Sequence, residues 1–205
     1  MKWLLLFITL TMVGCAPRQT LNGSVKLIFV NSDFRDYVQS GRTVLVYPVV
    51  MDSNFLKTPS YDNIKLLLRA RGDDILPYSY QSYIDTIKTK KKLKILRPLE
   101  KNIKIENIID IPPLISFFDQ SPIKFLLVFR VRKAIKVTGT NGVAAKHLTL
   151  SGELWDITQG GVVWRANSDL ENLSTISDTK MVEDGIKLLL TSLPKFYHDS
   201  EQRDW

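Results

Sequence analysis

The side chains able to do chemistry in this chain are few and widely spaced. Its 205 residues hold one cysteine, Cys15, and two histidines, His147 and His198, one beside an apolar run and one near the end. Zinc sites draw on clustered Cys, His and acidic ligands, and no such spacing is present, so each histidine reads as a surface residue. A serine nucleophile would need a Gly-x-Ser-x-Gly elbow or comparable geometry, and phosphate or dinucleotide binding would need a glycine fingerprint; the sequence has neither. Carboxylates are the remaining candidates. Asp73-Asp74 and the set Glu153, Asp156, Asp169 and Glu171 could supply the acid pair that glycan hydrolysis requires. The simpler reading makes them turn and hairpin-edge acids facing water. No catalytic residue, metal site or cofactor is therefore assigned, and the expectation is a protein that is not an enzyme.

The position of Cys15 carries more information. It follows a lysine-bearing start, Met1-Lys2-Trp3, an apolar run from Leu4 to Leu10, and then Met12-Val13-Gly14. A charged n-region, a short h-region and a small residue at the cut site make a secretory signal, and the run falls short of the roughly 20 apolar residues that span a bilayer. The stretch resembles a bacterial lipoprotein signal, with Met12 where Leu is usual. The resemblance implies cleavage before Cys15 and lipidation of its sulfur and new amino group. Ala16 in place of Asp implies the outer membrane, on the periplasmic face, rather than retention at the inner one. Two or more acyl chains anchor stably where one does not. With the sole cysteine lipidated, no disulfide is available, so the fold must rest on its core. A composition of 44% hydrophobic and 24% charged residues supports one.

The charge of +7 is local in origin. Lys88, Lys90, Lys91, Lys92, Lys94, Arg97, Lys101 and Lys104 crowd one window against Glu100 alone. Such a window can meet anionic lipid, peptidoglycan carboxylates or an acidic protein; equally, it can be a solvated helix end whose lysines complement the C-terminal dipole. The candidate contact residues are Lys88, Lys90, Lys91, Lys92, Lys94 and Arg97. An export signal argues against nucleic acid as partner.

Around these groups the chain divides into residues 1–14 as signal, 15–42 as lipidated Cys, polar tether (16–24) and a first strand at Val25–Val30, 43–196 as an α/β domain, and 197–205 as a polar tail. Thr43 to Val50 is a β-branched run of the kind buried on both faces, loosened at Pro48. Tyr61 to Gly72 has helical spacing, with a strand as the alternative. Tyr80, Tyr83, Ile84 and Ile87 predict a helix from Ser79 into the lysines. A short strand at Leu93–Leu96 closed by Arg97-Pro98, and a helix over Ile105–Phe118 interrupted at Pro112-Pro113, follow. Ile123 to Val137 predicts a strand that starts under cover on both sides and projects beyond it, its even positions turning basic from Arg130. Asn141-Gly142 and Gln159-Gly160-Gly161 turn it into a three-strand antiparallel meander, with Trp155 and Trp164 expected to stack across the second turn. A last helix starts at Ser177 or Asp178, lines Met181, Gly185, Ile186, Leu189, Leu190 and Leu193 on one stripe and stops at Pro194. The predicted class is α/β (α+β): a mixed sheet with helices packed on it.

This order of elements, with the run Trp155-Asp156-Ile157-Thr158-Gln159-Gly160-Gly161-Val162-Val163-Trp164, resembles the α/β domain of the TolB amino-terminal class. That class includes the curli secretion lipoprotein and the lipoprotein activators of penicillin-binding proteins, and the likeness covers most of residues 43–195. It implies a non-catalytic envelope scaffold or regulator of cell-wall synthesis or of a secretion or appendage machine. Its partners would be the membrane through the N-terminal lipid, a periplasmic or outer-membrane protein, peptidoglycan, and further copies of itself. The alternatives are a peptidoglycan hydrolase using the acidic hairpin, and a pore subunit using the hairpin around Asn141-Gly142.

Overall fold

Two kinds of apolar run build the sheet, short ones buried on both faces and long ones that alternate. A computed structural model of the chain describes residues 22–32, 43–51, 57–87, 98–104, 123–138, 144–158, 160–173 and 175–196. The strands are β1 (Asn22–Val30), β2 (Thr43–Val46), β3 (Val50–Met51), β4 (Leu76–Ser79), β5 (Phe125–Thr138), β6 (Ala144–Asp156) and β7 (Gly161–Leu173). The helices are α1 (Tyr61–Arg69), α2 (Tyr80–Thr86), α3 at residues 98–104, and α4 (Asp178–Ser192). One mixed sheet of the α/β class results, in the order β1-β7-β6-β5-β2-β4 with β3 beside β5. The β1–β7, β7–β6 and β6–β5 pairs are antiparallel, whereas β2 is parallel to both β4 and β5, and β3 is parallel to β5.

The parallel part needs a crossover, and α1 provides it between β2 and β4. Ser60 caps α1, its Oγ accepting from Asn63 N at 3.3 Å, and Ile64 and Leu68 point into the core. Gly72, at φ 70°, turns the chain out of the helix. At the far end of the chain Ser177 caps α4 through Lys180 N at 3.2 Å.

Strand alternation then separates two cores. Val44, Val46, Phe125, Leu127, Phe129, Leu150, Leu154 and Trp164 pack under α1 and α4. Leu45, Leu126, Val128 and Trp155 face the other way, under Tyr80 of α2 and Leu99 and Ile103 of α3. Where α4 crosses the sheet it approaches closely: a Cβ on Gly185 would collide with Leu150 Cδ1 and lie 2.9 Å from Leu170 Cδ1. Gly152 leaves room in the same way for the Trp164 indole, 2.7 Å from where its Cβ would be.

Several sequence expectations are corrected. Trp155 and Trp164 do not stack, because they belong to opposite cores. A register shift between Leu154 and Trp155 pairs Trp155 with Val162, and Trp164 falls opposite Leu154. Asn22–Ser24, read as tether from their polarity, are strand residues, since pairing with β7 uses backbone groups alone. Pro98, expected to close a strand, lies in the helix α3. In β5 a shift between Val131 and Lys133 reverses the alternation, which places Ala134 rather than Ile135 on the α4 side. The signal and Cys15, the strand at Leu93–Leu96, the helix over Ile105–Phe118, the turn at Asn141-Gly142 and the tail with His198 lie outside the described residues.

Candidate functional site

Beyond the second core, the next cross-strand row on that face is ionic. β5 contributes Arg130 and Arg132, β6 Ser151 and Glu153, and β7 Arg165, which the register sets directly opposite Glu153. The Glu153 side chain has 0% exposure. Its Oε1 lies 3.0 Å from Arg165 Nε and 3.8 Å from an Arg132 guanidinium nitrogen, and its Oε2 lies 3.8 Å from Arg130. Trp155 Nε1 donates to Oε2 at 3.1 Å, and Arg132 Nε donates to Ser151 Oγ at 2.8 Å. Arg130 is buried, whereas Arg132 and Arg165 are 32% and 37% exposed. A carboxylate so placed holds three strands together and keeps two guanidinium groups at the surface in fixed positions.

This corrects two readings. Arg130 does not project into solvent; it continues the inward face of Leu126 and Val128, and the carboxylate on the adjacent strand makes that burial tolerable. Glu153 and Asp156 are not acids facing water but are buried. Their odd spacing on one strand sends them to opposite faces. Asp156 Oδ1 accepts from Thr158 N at 2.8 Å and Thr158 Oγ1 at 2.6 Å, which shapes the turn completed by Gly160 at φ 75°. Asp169 accepts from Thr149 Oγ1 at 2.6 Å, and like Glu171 it is exposed.

The Asp73-Asp74 pair is divided between separate tasks. Asp73 binds Arg71 at 2.7 Å and accepts from Phe196 N at 3.2 Å, and Asp74 N donates to Phe196 O at 2.8 Å. Arg71 in turn donates to the carbonyls of Leu190, Leu193 and Pro194, so this group seals the C-terminal end of α4 against α1.

Glu100 on α3 supports the second core. It accepts from Tyr80 Oη at 3.1 Å. Burial first, then the Glu100 charge and this hydrogen bond, push the Tyr80 phenol well above its usual range. Tyr47, whose ring centre is 4.7 Å from that of Tyr80, moves the same way through burial and Glu100, with Arg130 opposing.

Of the remaining sequence candidates, His147 is half-buried on β6 opposite Ile135, and no group of three metal-ligating side chains occurs among the described residues. Lys88, Lys90, Lys91, Lys92, Lys94 and Arg97 lie outside the described residues, as does Cys15; Lys101 and Lys104 are exposed on α3. The arginines around Glu153 escaped the sequence reading. The signal that could have found them is the position of Arg130 on the same alternate row as two buried apolar residues.

No protein-family model matches the chain, and no curated protein matches it in sequence. Among solved structures it is similar to the PelC dodecamer from Paraburkholderia phytofirmans, at 16% identity and TM-score 0.47, covering 82% of this chain and 95% of that one. It is also similar to lipoprotein GNA1162 from Neisseria meningitidis, at 10% identity and TM-score 0.40, over 73% and 95% of the two chains. The hypothetical protein CT253 from Chlamydia trachomatis is a further neighbour, at 10% identity and TM-score 0.43, over 74% and 94%.

Proposed function

We propose that this chain is a lipid-anchored protein of the outer membrane, facing the periplasm, that acts without catalysis as a scaffold or regulator of an envelope assembly through protein–protein contacts. The observation that carries this reading is the edge of the sheet at β1. Among the described residues β1 pairs with β7 alone and forms an edge of the sheet. Leu27, Ile28 and Phe29 on it are 50%, 46% and 44% exposed. Proteins normally blunt a long edge strand with several charges, proline or cover. β1 has Lys26 and a bulge at Ile28, its other residues from Val25 to Val30 are apolar, and among the described residues no second strand pairs with it, the features on which an added partner strand is recognised.

The anchor is argued from sequence. No helix among the described residues is long and apolar enough to cross a membrane, and the lipoprotein-like cysteine stands seven positions before Asn22. At ~3.3–3.6 Å per residue that tether reaches about 25 Å, which keeps β1 near the bilayer. A photo-crosslinking residue at Ile28 of the full chain, expressed in cells, is expected to capture a protein partner, and Phe29→Asp to reduce capture at that position. Cys15→Ser is expected to move the protein out of the membrane fraction. Normal processing and unchanged membrane fractionation of Cys15→Ser would remove the anchor, and absence of any adduct at Ile28 would remove the edge as the contact.

A further inference from the structure

A cavity of about 420 Å³ opens at the outer end of the sheet, between β5, β6 and the first turn of α4. That volume lies within the range of small-molecule sites, roughly 300–1,000 Å³. Ala134, Leu148 and Met181 give it an apolar lining, and Lys136, Lys146 and Asp178 are its charged groups. These charges are not equivalent. Lys146 Nζ donates to Asp178 Oδ1 at 2.6 Å and to the Ile176 carbonyl at 2.8 Å, so this pair is internally satisfied. Lys136 is exposed and makes no ion pair with the described residues. Among the described residues the cavity therefore offers one lysine without an acidic partner, Lys136, beside an aliphatic surface. Met181 adds an adaptable wall, and Ile135 and the half-buried His147 complete the lining, with no Phe, Tyr or Trp among the described residues there.

We propose that this cavity binds a single-chain aliphatic monoanion, with a carboxylate or phosphate head at Lys136 and the chain along Ala134, Leu148 and Met181. A dianion would meet the Asp178 carboxylate, and a neutral chain would leave Lys136 unused. Each methylene buried should tighten binding about fourfold, equivalent to about 0.8 kcal/mol.

The test uses the full chain carrying Cys15→Ser, so that no attached acyl group competes, with the Met181 methyl as an NMR reporter. Octanoate, decanoate and dodecanoate below their micelle concentrations are expected to shift that methyl, with affinity rising about fourfold per carbon. Lys136→Ala is expected to weaken decanoate about tenfold and leave 1-decanol unchanged, while Lys136→Arg retains decanoate binding. Two sources of such an anion are separated by vesicles. A response to decanoate but not to lysophosphatidylglycerol in phosphatidylethanolamine vesicles identifies a soluble fatty acid, and a response to the vesicles identifies a membrane lipid; both support the site. Absence of any methyl shift with every probe, or a Lys136→Ala protein that binds decanoate as the wild type does, overturns it. Lys136 is exposed, so its variants test binding without disturbing the core.

Discussion

Replacing Glu153 by Gln separates a structural carboxylate from a catalytic one. Glutamine keeps the shape and can still accept the Trp155 N–H, now at 3.1 Å, so the perturbation is the loss of one negative charge beside three arginines. Arg132 and Arg165 are about one-third exposed and can recover water. Arg130 is 3% exposed and cannot. Removing one partner of a buried pair costs about 3–5 kcal/mol because the other charge stays behind. With a single fully buried arginine at stake the low end applies, about 3 kcal/mol, or roughly 6–12 °C in Tm for a chain of this length. Guanidinium titration followed by tryptophan fluorescence measures it, since Trp155 and Trp164 are both buried. Arg165→Met, on an exposed partner, is expected to cost about 1 kcal/mol. The double variant Glu153→Leu with Arg130→Met should regain most of the loss. Residues held in place for catalysis tend to cost stability, so replacing them is neutral or stabilising. A Glu153→Gln protein as stable as wild type would therefore refute the clamp and return Glu153 to the list of candidate acids.

Three further outcomes follow from the packing. Gly185→Ala removes a helix-weakening glycine, worth about 1 kcal/mol, but drives a methyl into Leu150 and Leu170; a net loss of about 1–2 kcal/mol in the same titration is expected, and a gain would show that α4 does not sit this close. Asp73→Asn takes the charge from a pair whose side chains are 8% and 0% exposed and weakens the hold on Phe196 N; about 3 kcal/mol should be lost, with faster amide exchange at Phe196, and unchanged exchange there would contradict the assignment. Tyr80 and Tyr47 have phenols raised above the unfolded value by burial and by Glu100. Their contribution is complete below about pH 10 and falls as pH rises beyond it, because the unfolded chain ionises first, by up to about 1.4 kcal/mol per pH unit for each group. Tyr80→Phe should flatten the alkaline arm of a stability profile by about one such group, and an unchanged slope would count against its burial beside Glu100.

Where a segment's burial followed from its own side chains, the sequence was legible. α4 shows this: Ser177 caps it, the stripe from Met181 to Leu190 is buried, and the helix ends before Pro194. β5 divides into covered and exposed parts as its composition predicts, with Phe125–Val131 buried and residues 132–136 exposed. β4 was not foreseen, because an edge strand bearing Pro77 and an exposed Leu76 has no burial pattern to display. α3 was missed for a different reason. Pro98 can end a strand or open a helix, and only the burial of Leu99 and Ile103, four apart on one helical face, decides between them. The candidate site was legible in its acids and not in its arginines. Glu153 meets residues from two other strands through a register containing shifts in both hairpins, and no local pattern encodes those shifts.

That register is itself a reason for the buried charge. A one-residue slip of β6 would turn Leu148, Leu150 and Leu154 away from α4, and alternation forbids it. A two-residue slip keeps the same face inward and is opposed mainly by side-chain fit. Glu153 supplies a sharper penalty, since the slip would carry it away from Arg165, its direct cross-strand neighbour, and leave buried ionic groups without each other. The apolar face under α4 thus supplies most of the stability, and the ionic row on the opposite face selects among registers that face would tolerate. If so, a Glu153→Leu with Arg165→Leu variant should stay folded while its β6 and β7 amides show doubled or exchange-broadened resonances. A single sharp set at the native shifts would show that packing alone determines the register.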